Sequence, residues 1–361
     1  MRLAITGGAG FLGLHLADLL SGEFDEIRLL DIAPVDPEEY PKNTTHQRVD
    51  VRDREALSPA LEGVHLVVHA AAALPLWRAA DIVSTNATGT QNVLEAAGEL
   101  GIERVVFVSS TAVYGIPEVH PIREDDRLHG VGPYGESKIE AERICQRFRD
   151  QGLIVPIVRP KTFVGTGRLG VFQILYDWIR SGKKIPIIGP GDNRYQLLEV
   201  EDLVEALTAR VEAGIILQDL VEALRLLLSL PRDQVNDTFN IGAGEFGTVG
   251  EDVGALCEFA GSGARAMSMP AGLVKPVLAA FWRMRLSPLY PWVYATADKD
   301  SFVSIERAVS RLGWTPRFSN AQALIRSYQW YLDHRLALSG SGTTHRIAWR
   351  QGILGLIKRF L

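Results

Sequence analysis

Two side chains that could move a proton stand four residues apart in the segment Tyr134-Gly-Glu-Ser-Lys138. Residues spaced i and i+4 share one face of a helix, so the phenol and the ammonium would be neighbours. A phenol with a pKa of about 10 is a poor base at neutral pH, and a nearby positive charge lowers that pKa by stabilising the phenolate. Ser110 ends an apolar run 24 residues earlier, and its hydroxyl could hold a substrate oxygen beside Tyr134. The pattern predicts a general acid–base site.

A glycine-rich turn, Thr6–Gly13 (TGGAGFLG), precedes the first predicted helix. Its spacing fits GxxGxxG, and bare backbone lets a pyrophosphate approach the helix N-terminus, whose unpaired N–H groups favour anions. Asp31 closes the next predicted strand, where a carboxylate can bind the adenosine ribose hydroxyls and would repel a 2′-phosphate. The turn and Asp31 together predict NAD rather than NADP. Asp50 and Val51, after the third strand, could flank the adenine, although Asp50 could equally cap the following helix.

These residues fall within an alternation of short strands and helices over the first 160 residues. The predicted strands are Arg2–Thr6, Glu26–Asp31, His46–Asp50, Val64–His69, Arg104–Ser110 and Leu153–Arg159, and the predicted helices lie near 11–21, 53–62, 84–100 and 134–150. Strands of this length alternating with longer helices indicate βαβ units and a parallel sheet. Continuously apolar strands such as 105–108 are typical of a sheet that is buried on both faces.

The later sequence is mixed in character. Helices are expected at 170–182, 202–213, 215–229, 249–260, 270–283, 305–312 and 321–335, with short strands near 185–188, 196–200 and 238–241. We therefore predict an α/β fold with a Rossmann-type doubly wound parallel sheet over residues 1–165, to which later segments such as 196–213 return. A smaller mixed α/β substrate lobe is expected over 166–337.

Composition excludes several classes of protein. Of the 361 residues 47% are hydrophobic and the net charge is only −5, which excludes a disordered chain and argues against a nucleic-acid partner. Two cysteines without a CxxC pattern cannot form a disulfide framework, and no metal site is predicted. The chain has no uninterrupted apolar run of about 18 residues and no signal-peptide pattern at its start, so we expect a cytoplasmic protein without a transmembrane helix.

Seven short motifs follow one another along the chain: TGGAGFLG, Asp50-Val51, His69-Ala-Ala, Asn86-Ala-Thr-Gly89-Thr90, Ser109-Ser110-Thr-Ala-Val-Tyr-Gly115, Tyr134-x-x-x-Lys138 and Arg159-Pro160. With these motifs the chain resembles the extended short-chain dehydrogenases/reductases over about residues 1–335. Within that superfamily it is most similar to the NAD-dependent epimerase/dehydratase group.

The resemblance implies roles for individual residues. Tyr134 would be the acid/base, Lys138 would orient the cofactor ribose and lower the Tyr134 pKa, and Ser110 would hydrogen-bond the reacting oxygen, with Thr111 as a second candidate. NAD would be the cofactor, with contacts to Gly7, Gly10, Phe11, Leu12, Asp31, Asp50, Val51, Ala70, Ala71, Tyr134 and Lys138. Family members often form dimers through helices corresponding to 84–100 and 134–150, so a homodimer is an open expectation.

The residues after Ser110 narrow the reaction by comparison with the family. Sugar-nucleotide 4,6-dehydratases carry an Asp-Glu pair there, decarboxylating relatives usually place a Glu at the position of Ala112, and 3,5-epimerase/4-reductases use a Cys where Thr111 stands. The chain has none of these, which leaves reversible hydride transfer at one carbinol. We interpret it first as a nucleotide-sugar epimerase that works through a transient keto intermediate.

Two alternatives stay open. One is a 3β-hydroxysteroid-dehydrogenase-like or other NAD-dependent alcohol dehydrogenase acting on a sterol or lipid-like substrate. The other is a non-catalytic NAD-binding protein, against which the intact Ser110, Tyr134 and Lys138 argue.

The later sequence supports both substrate classes. Arg194 lies in a segment that resembles the diphosphate-binding segment of sugar-nucleotide epimerases, and a guanidinium suits forked phosphate contacts. A surface ion pair is the alternative for Arg194. Thr162, a second candidate for substrate binding, replaces the Asn that contacts the diphosphate in many sugar epimerases. An aromatic cluster could wall a lipid or sterol pocket or pack in the core: Trp282, Tyr290, Trp292 and Tyr294.

The last residues form a separate segment. Leu338–Thr344 reads as a flexible linker by its composition, and His345–Leu361 combines four basic residues with many apolar ones. An amphipathic helix of this kind could contact a membrane surface, pack on its own fold or a dimer mate, or stay disordered.

Overall fold

The computed structural model describes residues 1–200, 220–336, 346, 349 and 351–359. Its strands are β1 (Arg2–Thr6), β2 (Glu26–Asp31), β3 (Thr44–Arg48), β4 (Leu66–His69), β5 (Arg104–Val108), β6 (Ile157–Pro160), β7 (Thr162–Val164), β8 (Lys184–Ile188), β9 (Leu197–Glu199), β10 (Thr238–Ile241) and β11 (Arg265–Met269). Seven of them form one sheet in the order β10-β6-β5-β4-β1-β2-β3, with every pairing parallel. The strand order reverses between β1 and β4, where a doubly wound sheet opens a ligand crevice.

The helices cover both faces of this sheet. They are α1 (Phe11–Leu20), α2 (Arg54–Leu61), α3 (Ala79–Val83), α4 (Gly89–Glu99), α5 (Gly132–Asp150), α6 (Val171–Arg180), α7 (Leu220–Ser229), α8 (Arg232–Val235), α9 (Val249–Ala260), α10 (Ala271–Arg283), α11 (Pro291–Thr296), α12 (Glu306–Leu312), α13 (Asn320–His334) and α14 (Ile353–Ile357). One core joins α1 and α12 to one face of the sheet, and a second core joins α2, α4 and α5 to the other face. The predicted Rossmann-type α/β fold is confirmed.

A third core lies outside the main sheet, in the part of the chain for which the sequence predicts a substrate lobe, and we use that name for it. Residues of α6, α9 and α13 pack together there, with Tyr176 and Tyr328 fully buried at its centre. Two small parallel pairs, β8 with β11 and β7 with β9, support it. β10 lies late in the chain yet joins the edge of the main sheet beside β6, so the lobe and the sheet share the later sequence. The predicted boundary at residue 165 stays a prediction.

The predicted helix near 84–100 does not have α-helical winding throughout. Its first residues, Ser84–Thr88, form a π-helical turn that follows α3, and the remainder is α4. The turn contains Asn86, whose side chain accepts from the Ala73 N–H (2.8 Å) and donates to Ser137 Oγ (3.0 Å). π-turns of this kind often occur at functional sites. Here the turn brings a buried amide between the crevice wall and α5.

Four strands predicted in the first 160 residues have different limits. The strand expected at 64–69 is β4 and begins at Leu66. The strand expected at 46–50 is β3, which ends at Arg48 because the Asp50 side chain accepts from the Arg52 N–H and turns the chain away. The strand expected at 104–110 is β5 and ends at Val108. The strand expected at 153–159 is β6 and begins at Ile157, since Pro156 has no N–H to donate to a ladder.

Some segments predicted from the sequence lie outside the described residues, and some helices and strands of the structure were not predicted. The helix expected at 202–213, the first part of that at 215–229 and the linker 338–344 lie outside the described residues. Four short elements of three to six residues were not predicted from the sequence: β7, β11, α8 and α11.

The described part of the C-terminal segment packs on its own fold. Trp349 and Leu354 are buried in the core of the lobe. Lys358 forms an ion pair with Asp177 of α6 (2.6 Å), and Trp178 donates to Gln351 (3.1 Å). Of the three alternatives for this segment, these contacts support packing on the fold. None of the described helices combines the length and apolar character needed to span a bilayer.

Candidate active site

The glycine turn between β1 and α1 has a shape that side chains would obstruct. Gly7 has a φ of 73°, and a Cβ there would lie 2.8 Å from the Ala71 backbone. A Cβ at Gly13 would lie 2.6 Å from the Gly7 and Gly8 carbonyl oxygens. No side chain caps α1 at Gly10, so the helix N-terminus stays accessible from the crevice. A bare turn before an uncapped helix suits a pyrophosphate.

Asp31 lies at the carboxyl end of β2 and faces the same crevice. Its carboxylate accepts from the Ala9 N–H (3.0 Å) and from the Ala33 N–H (2.9 Å). The first of these bonds ties Asp31 to the glycine turn itself. The carboxylate is thereby held at the position where the adenosine ribose is predicted to bind.

Asp50 and Val51 line the crevice beyond Asp31. Asp50 pairs with Arg52 (2.6 Å), and the hydrogen bond from Arg52 is the main cause that lowers the pKa of Asp50. Helix α2 is capped by Asp53, which accepts from the Ala56 N–H, so Asp50 does not serve as that cap.

Ala70 and Ala71 continue β4 into the crevice wall and are fixed by a buried hydroxyl–imidazole chain. Thr6 Oγ1 accepts from the Ala71 N–H (3.2 Å) and lies 2.7 Å from His69 Nδ1. His69 Nε2 lies 3.0 Å from Thr90 Oγ1. Burial lowers the pKa of His69 to about 3, so the imidazole is neutral. The chain therefore fixes the wall without adding charge.

Tyr134 and Ser110 meet at the carboxyl end of β5. Ser110 has an extended backbone and caps a short helical turn, accepting from the Ala112 N–H (3.2 Å). Tyr134, in the first turn of α5, lines the same cavity as Ser110, and its side chain interacts with that of Ser110. Burial raises the pKa of Tyr134, whereas the interaction with Ser110 and the positive charge of Arg168 lower it. The structure thus brings together the two hydroxyls that the sequence predicted.

Lys138 lies one turn further along α5 and is 2% exposed. Its ammonium donates to the Val108 carbonyl oxygen (2.8 Å) and lies 4.8 Å from the centre of the Phe107 ring. Burial lowers the pKa of Lys138 to about 8. The cation that lowers the Tyr134 pKa in this structure is Arg168, which sequence reasoning did not identify, so that role of Lys138 stays a prediction.

A buried ion pair anchors the helix that carries Tyr134 and Lys138. Arg159 of β6 donates to both carboxylate oxygens of Glu142 on α5 (2.9 and 2.6 Å), and each side chain is 6% exposed. Glu142 also accepts from the Ser109 hydroxyl. The pair ties α5 to the strand ends next to Ser110.

One cavity of about 630 Å³ connects these parts. It runs from Asp31 past Tyr134 to the substrate lobe, and Thr111 and Thr162 line it. At the lobe end its walls include six aromatic side chains: Trp77, Phe163, Tyr195, Trp282, Tyr290 and Trp292. Three members of the aromatic cluster noted in the sequence therefore face the cavity.

Arg194 is not one of the described residues that line the cavity. It is an exposed residue whose guanidinium lies 4.6 Å from the centre of the Phe246 ring and 4.8 Å from that of Phe302. The structure thus places this candidate apart from Tyr134, and its substrate role stays a prediction.

Comparison with known proteins agrees with this geometry. A model of the NAD dependent epimerase/dehydratase family matches residues 3–242. The chain belongs to this family. It is accordingly an NAD-dependent enzyme, and the unobstructed glycine turn and the crevice-facing Asp31 fit that cofactor.

Members of the epimerase/dehydratase family differ in what they act on, and the relatives of this chain reflect this. An uncharacterized protein, y4nG of Sinorhizobium fredii, is 34% identical over 98% of this chain and 84% of its own length. A 3 beta-hydroxysteroid dehydrogenase/Delta 5→4-isomerase of Mycobacterium tuberculosis is 25% identical over 92% of this chain and 90% of its own. A crystal structure of UDP-glucose 4-epimerase from Thermotoga maritima with UDP-glucose superposes with a TM-score of 0.71 at 23% identity, covering 93% and 100% of the two chains.

Proposed function

We propose that the protein is an NAD-dependent dehydrogenase that interconverts a secondary alcohol and a ketone on an apolar, sterol- or lipid-like molecule. The observation that carries this proposal is the aromatic wall of the cavity next to Tyr134. Pockets for apolar ligands are lined mainly by hydrophobic and aromatic side chains with a few placed polar groups. Ser110, Tyr134 and Thr111 are such groups here.

The residues divide the chemical work as follows. The Tyr134 hydroxyl exchanges a proton with the carbinol oxygen, and Ser110 holds that oxygen by a hydrogen bond. Lys138 lines the crevice and its ammonium is fixed by the Val108 carbonyl oxygen, where its charge can stabilise a phenolate. NAD, when bound, supplies the hydride acceptor or donor. The apolar walls exclude water from the reacting groups.

The likeness to the mycobacterial hydroxysteroid dehydrogenase supports this choice. It extends over 92% of the chain and therefore includes the substrate lobe as well as the cofactor-binding half. The position of Arg194 supports it too, because Arg194 is exposed and is not among the described residues that line the cavity containing Tyr134.

A nucleotide-sugar epimerase remains the second candidate. The segment around Arg194 resembles the diphosphate-binding segment of such enzymes, and the Thermotoga structure was solved with UDP-glucose. Its likeness to this chain concerns the fold alone, since the identity is 23%. A cytoplasmic location and a homodimer remain expectations from the sequence.

The candidates separate in one assay series with purified enzyme and NAD. We expect absorbance at 340 nm to rise with apolar secondary alcohols, including a 3β-hydroxysterol, and to stay flat with UDP-glucose and UDP-galactose. Trp282→Ala should raise KM for the apolar alcohols more than it lowers kcat, because the indole lines the cavity. Interconversion of the two UDP-sugars without net NADH would replace the proposal with the epimerase. Tight NAD binding without turnover of any compound would support a non-catalytic protein.

A further inference from the structure

Two cations are buried at the lobe end of the cavity. Lys161 lies between β6 and β7 and is 3% exposed, and Arg168 lies in the loop after β7 and is 7% exposed. Both line the cavity that contains Tyr134. A buried charge is costly unless it is paired and hydrogen-bonded. The groups that compensate these two charges therefore indicate which kind of molecule the cavity binds.

Arg168 is surrounded by rings and has free donors. Its guanidinium carbon lies 5.1 Å from the centre of the Phe11 ring and 5.2 Å from that of Phe163. Its Nε and Nη1 atoms are buried without a hydrogen-bond partner in the described structure. The groups that act on its pKa, besides burial, are the hydroxyls of Tyr290, Tyr176 and Tyr134, none of which is a carboxylate. Arg168 therefore lines the cavity within electrostatic range of Tyr134, and it has buried N–H donors that no described residue accepts.

Lys161 is also held by neutral groups. Its Nζ donates to the Ser301 hydroxyl (2.7 Å) and lies 4.8 Å from the centre of the Tyr195 ring. Lys161 interacts electrostatically with His120, and His120 in turn interacts with Asp300. The Asp300 carboxylate accepts from the Arg194 N–H. Burial lowers the pKa of Lys161 to about 7, with no carboxylate acting to raise it.

No described residue that lines the cavity at this end carries a negative charge; the buried carboxylate of Glu199, which acts on Tyr176, does not line it. Among the described residues that line it, the carboxylates are Asp31 and Asp50, both at the adenosine end. Tyr290 connects the two cations, because its hydroxyl interacts electrostatically with Tyr195, which packs on Lys161, and with Arg168. The missing negative charge is one that a bound molecule can supply.

We propose that Arg168 and Lys161 form a subsite for an anionic group of the substrate, a carboxylate or a phosphate, close to the carbinol that Tyr134 acts on. This inference rests on the proposed function and names its substrate class more closely: an apolar alcohol that carries an acidic group. Arg168 can bind carboxylate or phosphate oxygens in a forked manner, and Lys161 can act as a point charge.

The test measures binding of three probes with the same alkyl chain to the NAD-saturated enzyme by titration calorimetry: decanoate, decyl phosphate and 1-decanol. We expect at least one anionic probe to bind about tenfold more tightly than decanol, the factor that one hydrogen bond to a charged group is worth. Arg168→Met and Lys161→Met should each remove most of that preference. Arg168→Lys should retain part of it, because the charge stays and the fork is lost. Arg194→Met, an arginine also packed on aromatic rings but outside the cavity lining, is the matched control and should retain the preference.

Three results would overturn the subsite. One is equal affinity for all three probes in the wild-type enzyme, which requires no variant to fold. The second is a preference that survives in both methionine variants. The third is NAD binding weakened about tenfold in Arg168→Met with the probe preference unchanged, which would assign Arg168 to the cofactor pyrophosphate. If any of these results is accompanied by fast NADH formation from neutral alcohols, the subsite is wrong but the proposed dehydrogenase activity stands. An anionic preference without NADH from any apolar alcohol would instead preserve the subsite and overturn the dehydrogenase.

Discussion

Replacing Arg159 with methionine would leave the Glu142 carboxylate buried without its cation. Arg159 donates to both oxygens of Glu142, to the Tyr114 hydroxyl (2.7 Å) and to the Glu124 carbonyl oxygen (2.8 Å). Methionine keeps an unbranched apolar stem but ends short of the guanidinium, so the change removes these donors and leaves a small space where that group packs. The perturbation therefore combines the loss of a charge and its hydrogen bonds with a packing defect.

The size of the effect follows from the burial of the pair. With each side chain 6% exposed, water cannot replace the lost donors. Breaking a buried pair by removing one partner costs about 3–5 kcal/mol, a large part of the roughly 5–15 kcal/mol by which proteins of this kind are stable. Arg159→Met with Glu142→Gln should cost less than the sum of the two single changes, by about 1–3 kcal/mol, because no charge is then stranded.

Urea denaturation followed by tryptophan fluorescence, with far-UV circular dichroism as a second probe, measures these differences. The matched control lies on the same helix: Arg143→Met breaks an exposed pair with Glu140 (3.3 Å) and should cost no more than about 0.5 kcal/mol. The reasoning is refuted if Arg159→Met destabilises the protein no more than Arg143→Met, or if the double variant shows simple additivity. Because Glu142 also holds Ser109, we expect surviving Arg159→Met enzyme to lose kcat as well.

Three further predictions concern the crevice. Tyr134→Phe should keep NAD affinity within about twofold and lower turnover by roughly 10²–10⁴-fold, the usual contribution of a positioned acid/base; near-normal activity would contradict the assigned role. Gly13→Ala places a methyl group 2.6 Å from the Gly7 carbonyl oxygen and should weaken NAD binding, measured by quenching of tryptophan fluorescence, about tenfold or more, whereas unchanged affinity would show that the turn can relax. His69 has a pKa of 6.5 when unfolded and about 3 when folded, so between these values the unfolded chain binds the extra proton. The unfolding free energy should therefore fall as pH falls through that window, by up to about 1.4 kcal/mol per pH unit from this group, and His69→Gln should show a shallower fall between pH 7 and pH 5 than the wild type.

Local patterns were sufficient for the central fold. The limits of β1, β2 and β10 agree with the sequence prediction, because apolar runs between turn residues define strands directly. The helix predicted near 84–100 is present, but its π-helical start at Ser84–Thr88 was not predicted, because the contacts of Asn86 with Ala73 and Ser137 are tertiary. No helical periodicity records such contacts.

Some residues of the site could likewise be predicted from the sequence, and others could not. Ser110 and Tyr134 could be predicted to meet, since the carboxyl ends of parallel strands and the helices that follow them share one edge of the sheet. Arg168 and Lys161 could not, because their burial depends on Phe11 and Tyr195, which lie far from them in sequence. The only local signal was two cations beside apolar residues, a pattern that surface arginines and lysines also show.

The C-terminal segment shows why composition alone left its role open. A membrane-surface helix needs its basic and apolar side chains available at the same time. Among the described residues, Arg346 pairs with Glu39 and Lys358 with Asp177, Arg359 is exposed, and Trp349 is buried in the lobe. Arg346 also donates to the Ala9 carbonyl oxygen of the glycine turn (3.2 Å). Two of the basic groups that would bind a membrane are thus engaged by the fold, and Arg346 joins the segment to the cofactor crevice.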